Sequence, residues 1–176
     1  MVVIISCSLH PQSKSRILAR EALSAAHKAG VEAQLIDLRD YPLPLCDGDG
    51  SYSNPNIEPL MQAIRDASAV LLASPIYNYD VAASTKNLIE LVGGELKDKA
   101  VGMLCAAGGD RSYMAPLGLL NSLMLDFRSI VVPRFVYATG NDFRDESLHS
   151  EDLGERIDDL VRSAAALGRA LSSINA

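Results

Sequence analysis

A doubly wound α/β fold with a parallel sheet is what the sequence predicts, and three observations predict it. Five short apolar runs, at residues 2–5, 33–36, 69–73, 100–105 and 130–136, recur at regular spacing, with helix-like segments between them. The runs lack polar alternation, as strands do when helices cover both faces of their sheet. The 176 residues suit one domain spanning 1–176. Right-handed crossovers between five such strands give the order 2-1-3-4-5.

Each element follows from its own pattern. The first run is Val2-Val3-Ile4-Ile5. A helix is expected over 15–29, with Ile17, Leu18, Ala22, Leu23, Ala25 and Ala26 as its stripe and Gly30 where a C-terminal glycine belongs. Residues 40–59 form a loop rich in Pro, Gly, Asp, Ser and Asn, expected to act as a lid or a dimer contact. The second helix, 57–67, puts Ile57, Leu60, Met61 and Ile64 on one face. A third follows the Tyr77-Asn78 turn and carries Leu88, Ile89, Leu91 and Val92 ahead of Gly93-Gly94. A fourth covers 116–127. Pro133 removes a backbone donor from the last run and marks it as an edge strand. The final helix, 151–172, keeps Leu153, Ile157, Leu160, Val161, Ala164 and Leu167 in phase.

Composition narrows the function classes. Apolar residues make up 48% of the chain and charged ones 22%, which excludes disorder. A net charge of -6 argues against nucleic acid, whose backbone needs a basic stripe, but leaves room for a small anion site. No stretch approaches a membrane span, and the apolar start is too short for a secretory signal, so a soluble cytoplasmic protein is expected. Cys7, Cys46 and Cys105 lack metal-ligand spacing, and no metal site is expected. His27 and His149 are expected at the surface.

Ligands of such sheets sit beyond the strand C-termini, at the switch point between strands 1 and 3. That rule selects the loops 6–15, 74–80 and 106–114. The first reads Ser6-Cys7-Ser8-Leu9-His10-Pro11-Gln12-Ser13-Lys14-Ser15 and runs on to Arg16 in a helix start. Serines add donors without bulk, and a helix N-terminus attracts a phosphate. Ser8, His10, Ser13, Ser15 and Arg16 are the candidate phosphate ligands; simple capping by Ser13 or Ser15 uses the same chemistry. The loop holds no glycine, so neither a Gly-x-Gly-x-x-Gly dinucleotide turn nor a P-loop fits. A phosphatase with Cys7 as nucleophile needs an Arg where Ser13 stands. No acidic residue lies in 2–6, as a response regulator would require.

In the second loop, Pro75 lacks an N–H, Ile76 and Tyr77 offer surface for a planar ring, and Asn78 supplies a donor and an acceptor. A turn with its tyrosine at the core rim is the plainer reading. In the third loop, the paired Gly108 and Gly109 let backbone approach a ring closely. Asp110, Arg111 and Tyr113 line the substrate side or a solvated loop.

The stretch Ser8 to Ser15, together with Ser74-Pro75-Ile76-Tyr77-Asn78 and Lys86-Asn87, resembles the NADPH-dependent FMN reductase family. That flavodoxin-like group includes FMN, quinone, azo-dye and chromate reductases, and the likeness covers about 2–109. It implies FMN with its phosphate in the first loop, its isoalloxazine against Pro75 to Asn78, and its edge at Gly108 and Gly109. It also implies NADPH or NADH as reductant and ping-pong hydride transfer through flavin N5. The acceptor would be a small molecule: free flavin, quinone, azo compound or metal oxyanion. Because the flavin carries the hard chemistry, no catalytic side chain is expected. Members are generally homodimers or homotetramers. Two departures stand out: His10 where many members have Arg, and Ala82 and Thr85 where Pro and Leu are common. The alternative is an FMN-binding electron carrier or sensor that nicotinamide does not turn over.

Overall fold

A computed structural model describes residues 1–174. In chain order the elements are β1 (Val2–Ser6), α1 (Lys14–Lys28), β2 (Ala33–Asp37), α2 (Ile57–Asp66), β3 (Ala69–Tyr77), β4 (Asp80–Val81) and α3 (Ala83–Val92). They continue with β5 (Ala100–Ala106), α4 (Leu117–Phe127), β6 (Ile130–Val131), β7 (Val136–Ala138), β8 (Phe143–Arg144), β9 (Ser147–Leu148) and α5 (Glu151–Ile174). The parallel strands run β2-β1-β3-β5, and β6 and β7 both pair with β5. This is the flavodoxin-like order 2-1-3-4-5, with its last strand in two pieces.

The side-chain alternation of a strand sorts the core into two layers. Val3 and Ile5 of β1 face a layer that includes Leu60 of α2, Leu88 of α3 and Leu120 of α4. Val2 and Ile4 face the other, with Leu18 and Ala22 of α1 and Leu160 and Ala164 of α5. The packing of α5 is close enough to require glycine: a Cβ at Gly168 would lie 2.5 Å from the carbonyl oxygen of Ser68.

Three local readings change. The run 130–136 is not one strand. Val132 still donates to Val101 O at 2.8 Å, but Pro133 has no N–H and Arg134 is left-handed at φ 61, so the ladder resumes only at Val136. The edge position argued from Pro133 holds, since the break lies on the outermost strand. The β3–β4 and β8–β9 hairpins were not anticipated, because strands of two residues carry no readable period. The long loop after β2 is pinned to α3: Asn87 Nδ2 donates to Pro44 O, and Asn87 Oδ1 accepts from the Cys46 N–H, each at 2.8 Å. His27 and His149 are exposed.

Candidate functional site

The C-terminal ends of β1, β3 and β5 open into a cleft of about 700 Å³. The turn after β1 supplies its first wall. Ser13 occupies the N-cap position of α1 but does not cap it; Ser13 Oγ and Ser15 Oγ share a hydrogen bond of 2.8 Å instead. Both serines are buried. Two hydroxyls hold two protons and their mutual bond uses one, so the other remains to be donated into the cleft. The first-turn N–H groups of α1 receive no side-chain cap from Ser13. Beneath them, at the end of β1, Ser6 Oγ is buried without a partner. Alternation along β1 sets Ser6 on the α1 side of the sheet with Val2 and Ile4. His10 lines the cleft, and its Nδ1 accepts the Gln12 N–H at 3.1 Å, which leaves the neutral ring's proton on Nε2.

Arg16 is not a wall of this cleft. Its buried guanidinium donates from Nη1 to Pro11 O at 2.7 Å and from Nη2 to His10 O at 3.2 Å. Nε approaches Asp37 Oδ2 at 2.7 Å, an ion pair without hydrogen-bond alignment. Burial raises the Asp37 carboxyl, but hydrogen bonds from Arg39 and the charges of Arg16 and Arg39 outweigh it and hold the group below its usual range. Arg16 therefore takes up two loop carbonyls that would otherwise repel an anion. Ser8 also turns inward: its hydroxyl accepts the His10 N–H at 3.2 Å and shapes the turn. The cation on the cleft wall is Lys14, which the residue types did not single out. Its Nζ lies 3.5 Å from Gly140 O and 5.5 Å from the Phe143 ring centre. Gln12 of the same turn also lines the cleft.

The second wall carries Pro75, Ile76, Tyr77 and Asn78. Pro75 pairs in register with Ala106 and is buried. Behind it, the hydroxyls of Ser74 and Thr85 meet at 2.7 Å, so Thr85 braces the ridge through a bond that leucine cannot make. Ser84 Oγ donates to Cys7 O at 2.6 Å and ties α3 to the end of β1. Tyr77 pairs with Asp80, and Asn78 and Tyr79 between them have φ of 50 and 68, a tight hairpin turn. Asn78 thus serves the turn as well as the wall.

Ala106, Ala107 and Gly108 form the third wall. Gly109 stands outside it, with its carbonyl accepting the Tyr137 hydroxyl at 2.8 Å. Ser112 Oγ lies 3.0 Å from the same hydroxyl. Tyr113 packs against Phe135 and Tyr137, with ring centres 4.9 and 5.3 Å away, while Asp110 and Arg111 are exposed. Tyr137 lies in β7 beyond the run read from sequence, so it escaped notice.

Cys7 is buried, with Sγ directed at Ile5 O at 3.5 Å. Burial pushes its thiol up to about 12, against a lowering contact from Thr85. Such a thiol is no phosphate-ester nucleophile at neutral pH. Among the described residues, no three His, Cys, Asp or Glu side chains group as metal ligands, and no helix is long and apolar enough to cross a membrane.

The family model described as NADPH-dependent FMN reductase matches residues 1–144. An NADH-dependent FMN reductase of Pseudomonas fluorescens is 30% identical over 169 residues, covering 94% of this chain and 90% of the relative. An NAD(P)H-dependent FAD/FMN reductase of Geobacillus thermodenitrificans is 28% identical, covering 85% and 83%. Among solved structures, the NAD(P)H:(acceptor) oxidoreductase FerB of Paracoccus denitrificans superposes with a TM-score of 0.76 at 18% identity, covering 96% and 97% of the two chains.

Proposed function

The chain belongs to the NADPH-dependent FMN reductase family, and from that premise we propose which of its residues hold the flavin and which acceptors it serves. Its activity is FMN-dependent NAD(P)H oxidoreduction. The donor set of the cleft fits FMN. The Ser13–Ser15 pair has a proton to give, the α1 N-terminus is uncapped by its serine, and Lys14 and His10 stand on the same wall. These groups hold the phosphate, as the dipole and free amides of a helix N-terminus favour. Pro75, Ile76, Tyr77 and Gly108 bear on the ring, and Asn78 reads its polar edge. When bound, FMN supplies the centre that takes a hydride from NADPH or NADH and passes electrons on. The side chains orient that ring.

The acceptor is a flat molecule such as a quinone or a free flavin. Support comes from the exposed Tyr77 and Tyr79 at the cleft mouth and from relatives named as quinone oxidoreductases. The protein works in the cytoplasm, where the nicotinamides are supplied, as a homodimer or homotetramer. The exposed Leu9 and Leu45 beside a groove with Tyr41 and Leu43 support a contact between copies.

The observation that carries the residue assignment is the buried hydroxyl pair at an uncapped helix start, facing the Pro75–Tyr77 ridge. The test is addition of micromolar FMN to purified protein, followed by NADPH and NADH with a panel of quinone, flavin, azo dye and chromate. Uptake of yellow flavin and acceptor-dependent nicotinamide oxidation are expected. Failure to take up FMN would remove the proposal, and bound flavin that never oxidises nicotinamide would return the electron-carrier reading.

A further inference from the structure

The Tyr77–Asn78 turn separates the first cleft from a groove of about 680 Å³, which lies between the β3–β4 hairpin, α3 and α4. The two share Tyr77 and Asn78 and no other wall residue. The floor of the groove is the face of α4 that carries Gly118 and Ser122, one helical turn apart. Its sides carry Val81, Ala83 and the buried Leu119. A Cβ at Gly118 would meet nothing within 4 Å, so the floor there opens onto free space. The apolar character runs on, because Leu125 continues the Gly118–Ser122 face of α4 and is exposed. Polar side chains on the walls are already engaged within the protein. Ser122 Oγ donates to Gly118 O at 3.0 Å, Lys86 Nζ to Glu90 Oε1 at 2.7 Å, and Asp80 Oδ1 accepts the Val81 N–H at 2.7 Å. The groove therefore offers a ligand mainly carbon, and its polar end is the turn it shares with the first cleft.

We propose that this groove takes the hydrocarbon side chain of a substituted quinone, with the quinone head over the flavin ring at Tyr77 and the chain laid along α4. Resting on the reading of the first cleft as the flavin site and of a flat molecule as acceptor, this placement narrows the acceptor to quinones that bear an alkyl or prenyl chain. A ligand that fills both spaces needs a planar polar end joined to an apolar tail. A metal oxyanion has neither, and the side chain of a free flavin is hydroxylated. The reaction is unchanged by the tail: a hydride from the nicotinamide and one proton from water convert the quinone head to hydroquinone. The groove lies within the range of about 300–1,000 Å³ typical of small-ligand clefts. A fully buried methylene is worth about fourfold in affinity, from about 0.8 kcal/mol. A groove shields about half of a chain, so about twofold per methylene is expected.

Steady-state kinetics of the FMN-loaded protein with para-benzoquinone and its ethyl, butyl and hexyl derivatives provide the test. KM is expected to fall by about twofold for each methylene added. Gly118→Leu fills the groove from an open position and replaces a poor helix former with a good one. It should raise KM for the hexyl derivative by about fivefold or more and leave that for the parent quinone within about twofold. Ser122→Leu, exposed on the same helix, should show the same selectivity. A KM independent of chain length, or a dependence that neither substitution alters, would overturn the inference and spare both the flavin site and the flat acceptor. A flat series in a dimer that Gly118→Leu dissociates would overturn it too, by giving the groove to a second copy. Reduction of no quinone in the series would overturn the inference together with the choice of acceptor, while uptake of FMN would still support the flavin site.

Discussion

The turn after β1 is locked from beneath, whereas the turn after β3 stands out into solvent. In the first, a buried Arg16 pairs with a half-buried Asp37, Ser13 and Ser15 bury a hydroxyl pair, and two carbonyls are drawn down onto a guanidinium. In the second, Tyr77, Asn78, Tyr79 and Asp80 are all exposed, and only Pro75 and Ile76 behind them are buried. A charged tail needs donors whose orientation is settled beforehand, because reorganising dipoles around an anion is costly. A ring that meets a nicotinamide and then an acceptor needs one side left open. On the proposed flavin placement, the difference in burial is a division of labour between fixed anchorage and exchangeable contact.

The sharpest attempt to break this contrast is Asp37→Ala. It leaves the buried Arg16 without its carboxylate, and because Asp37 is only partly buried and Arg16 keeps its two carbonyl partners, the loss should be about 2 kcal/mol, below the roughly 3 kcal/mol or more of a fully buried pair. Urea unfolding should show that loss, together with weaker FMN binding from the relaxed turn. A change under about 1 kcal/mol would mean that the turn is not held from beneath. The same pair fixes a pH limb. The Asp37 carboxyl is held below its ordinary 3.8, so its contribution is fully present above that value and disappears as pH falls through the lower folded-state value. Stability measured from pH 5 downwards should fall less steeply in Asp37→Asn than in the parent.

Of similar size is the double change Ser13→Ala with Ser15→Ala. Hydrogen bonds to a charged group contribute about 1.5–3 kcal/mol, so FMN affinity should fall by about tenfold to a hundredfold. Unchanged affinity would move the phosphate elsewhere. On the open side, Asn78→Ala places a Cβ residue less suited to φ 50 than asparagine and should cost about 1 kcal/mol. Asn78→Gly should cost less, since glycine accepts that conformation freely. Thermal melts of the two variants compare them directly, and an equal loss would show that the turn conformation is not what Asn78 supplies.

The contrast also explains what was legible in the sequence. Central strands announced themselves because burial on both faces leaves an apolar run, as in β1 and β5. The last strand was legible as an apolar run whose Pro133 marks an edge, but its break was not, since nothing in 130–136 reveals the left-handed Arg134. In the site, residue type located the three turns and most of the wall. Direction was out of reach: Ser8 and Arg16 sit in the right turn but face inward, and Gly109 stands outside the cleft with its carbonyl on Tyr137, each held by a partner that pattern does not reveal. For Arg16 that partner is Asp37, from another strand. Lys14 reached the wall because it is exposed on the first turn of α1, two residues before the buried Arg16. Thr85, which departs from the family's usual leucine, gains its meaning only from the hydroxyl of Ser74.

The smallest expected effect on stability belongs to Tyr77→Ala, and it sharpens the comparison most. Tyr77 is 55% exposed, so its removal should change folding stability by no more than about 0.5 kcal/mol. Steady-state kinetics should nevertheless show a higher KM for the flat acceptor, because stacking on an aromatic face is worth about 0.5–1.5 kcal/mol. An open wall with little structural duty predicts this separation of kinetics from stability. Should Tyr77→Ala destabilise the fold as much as Asp37→Ala, the exposed hairpin would be part of the scaffold, and anchorage and exchange would not be divided between the two turns.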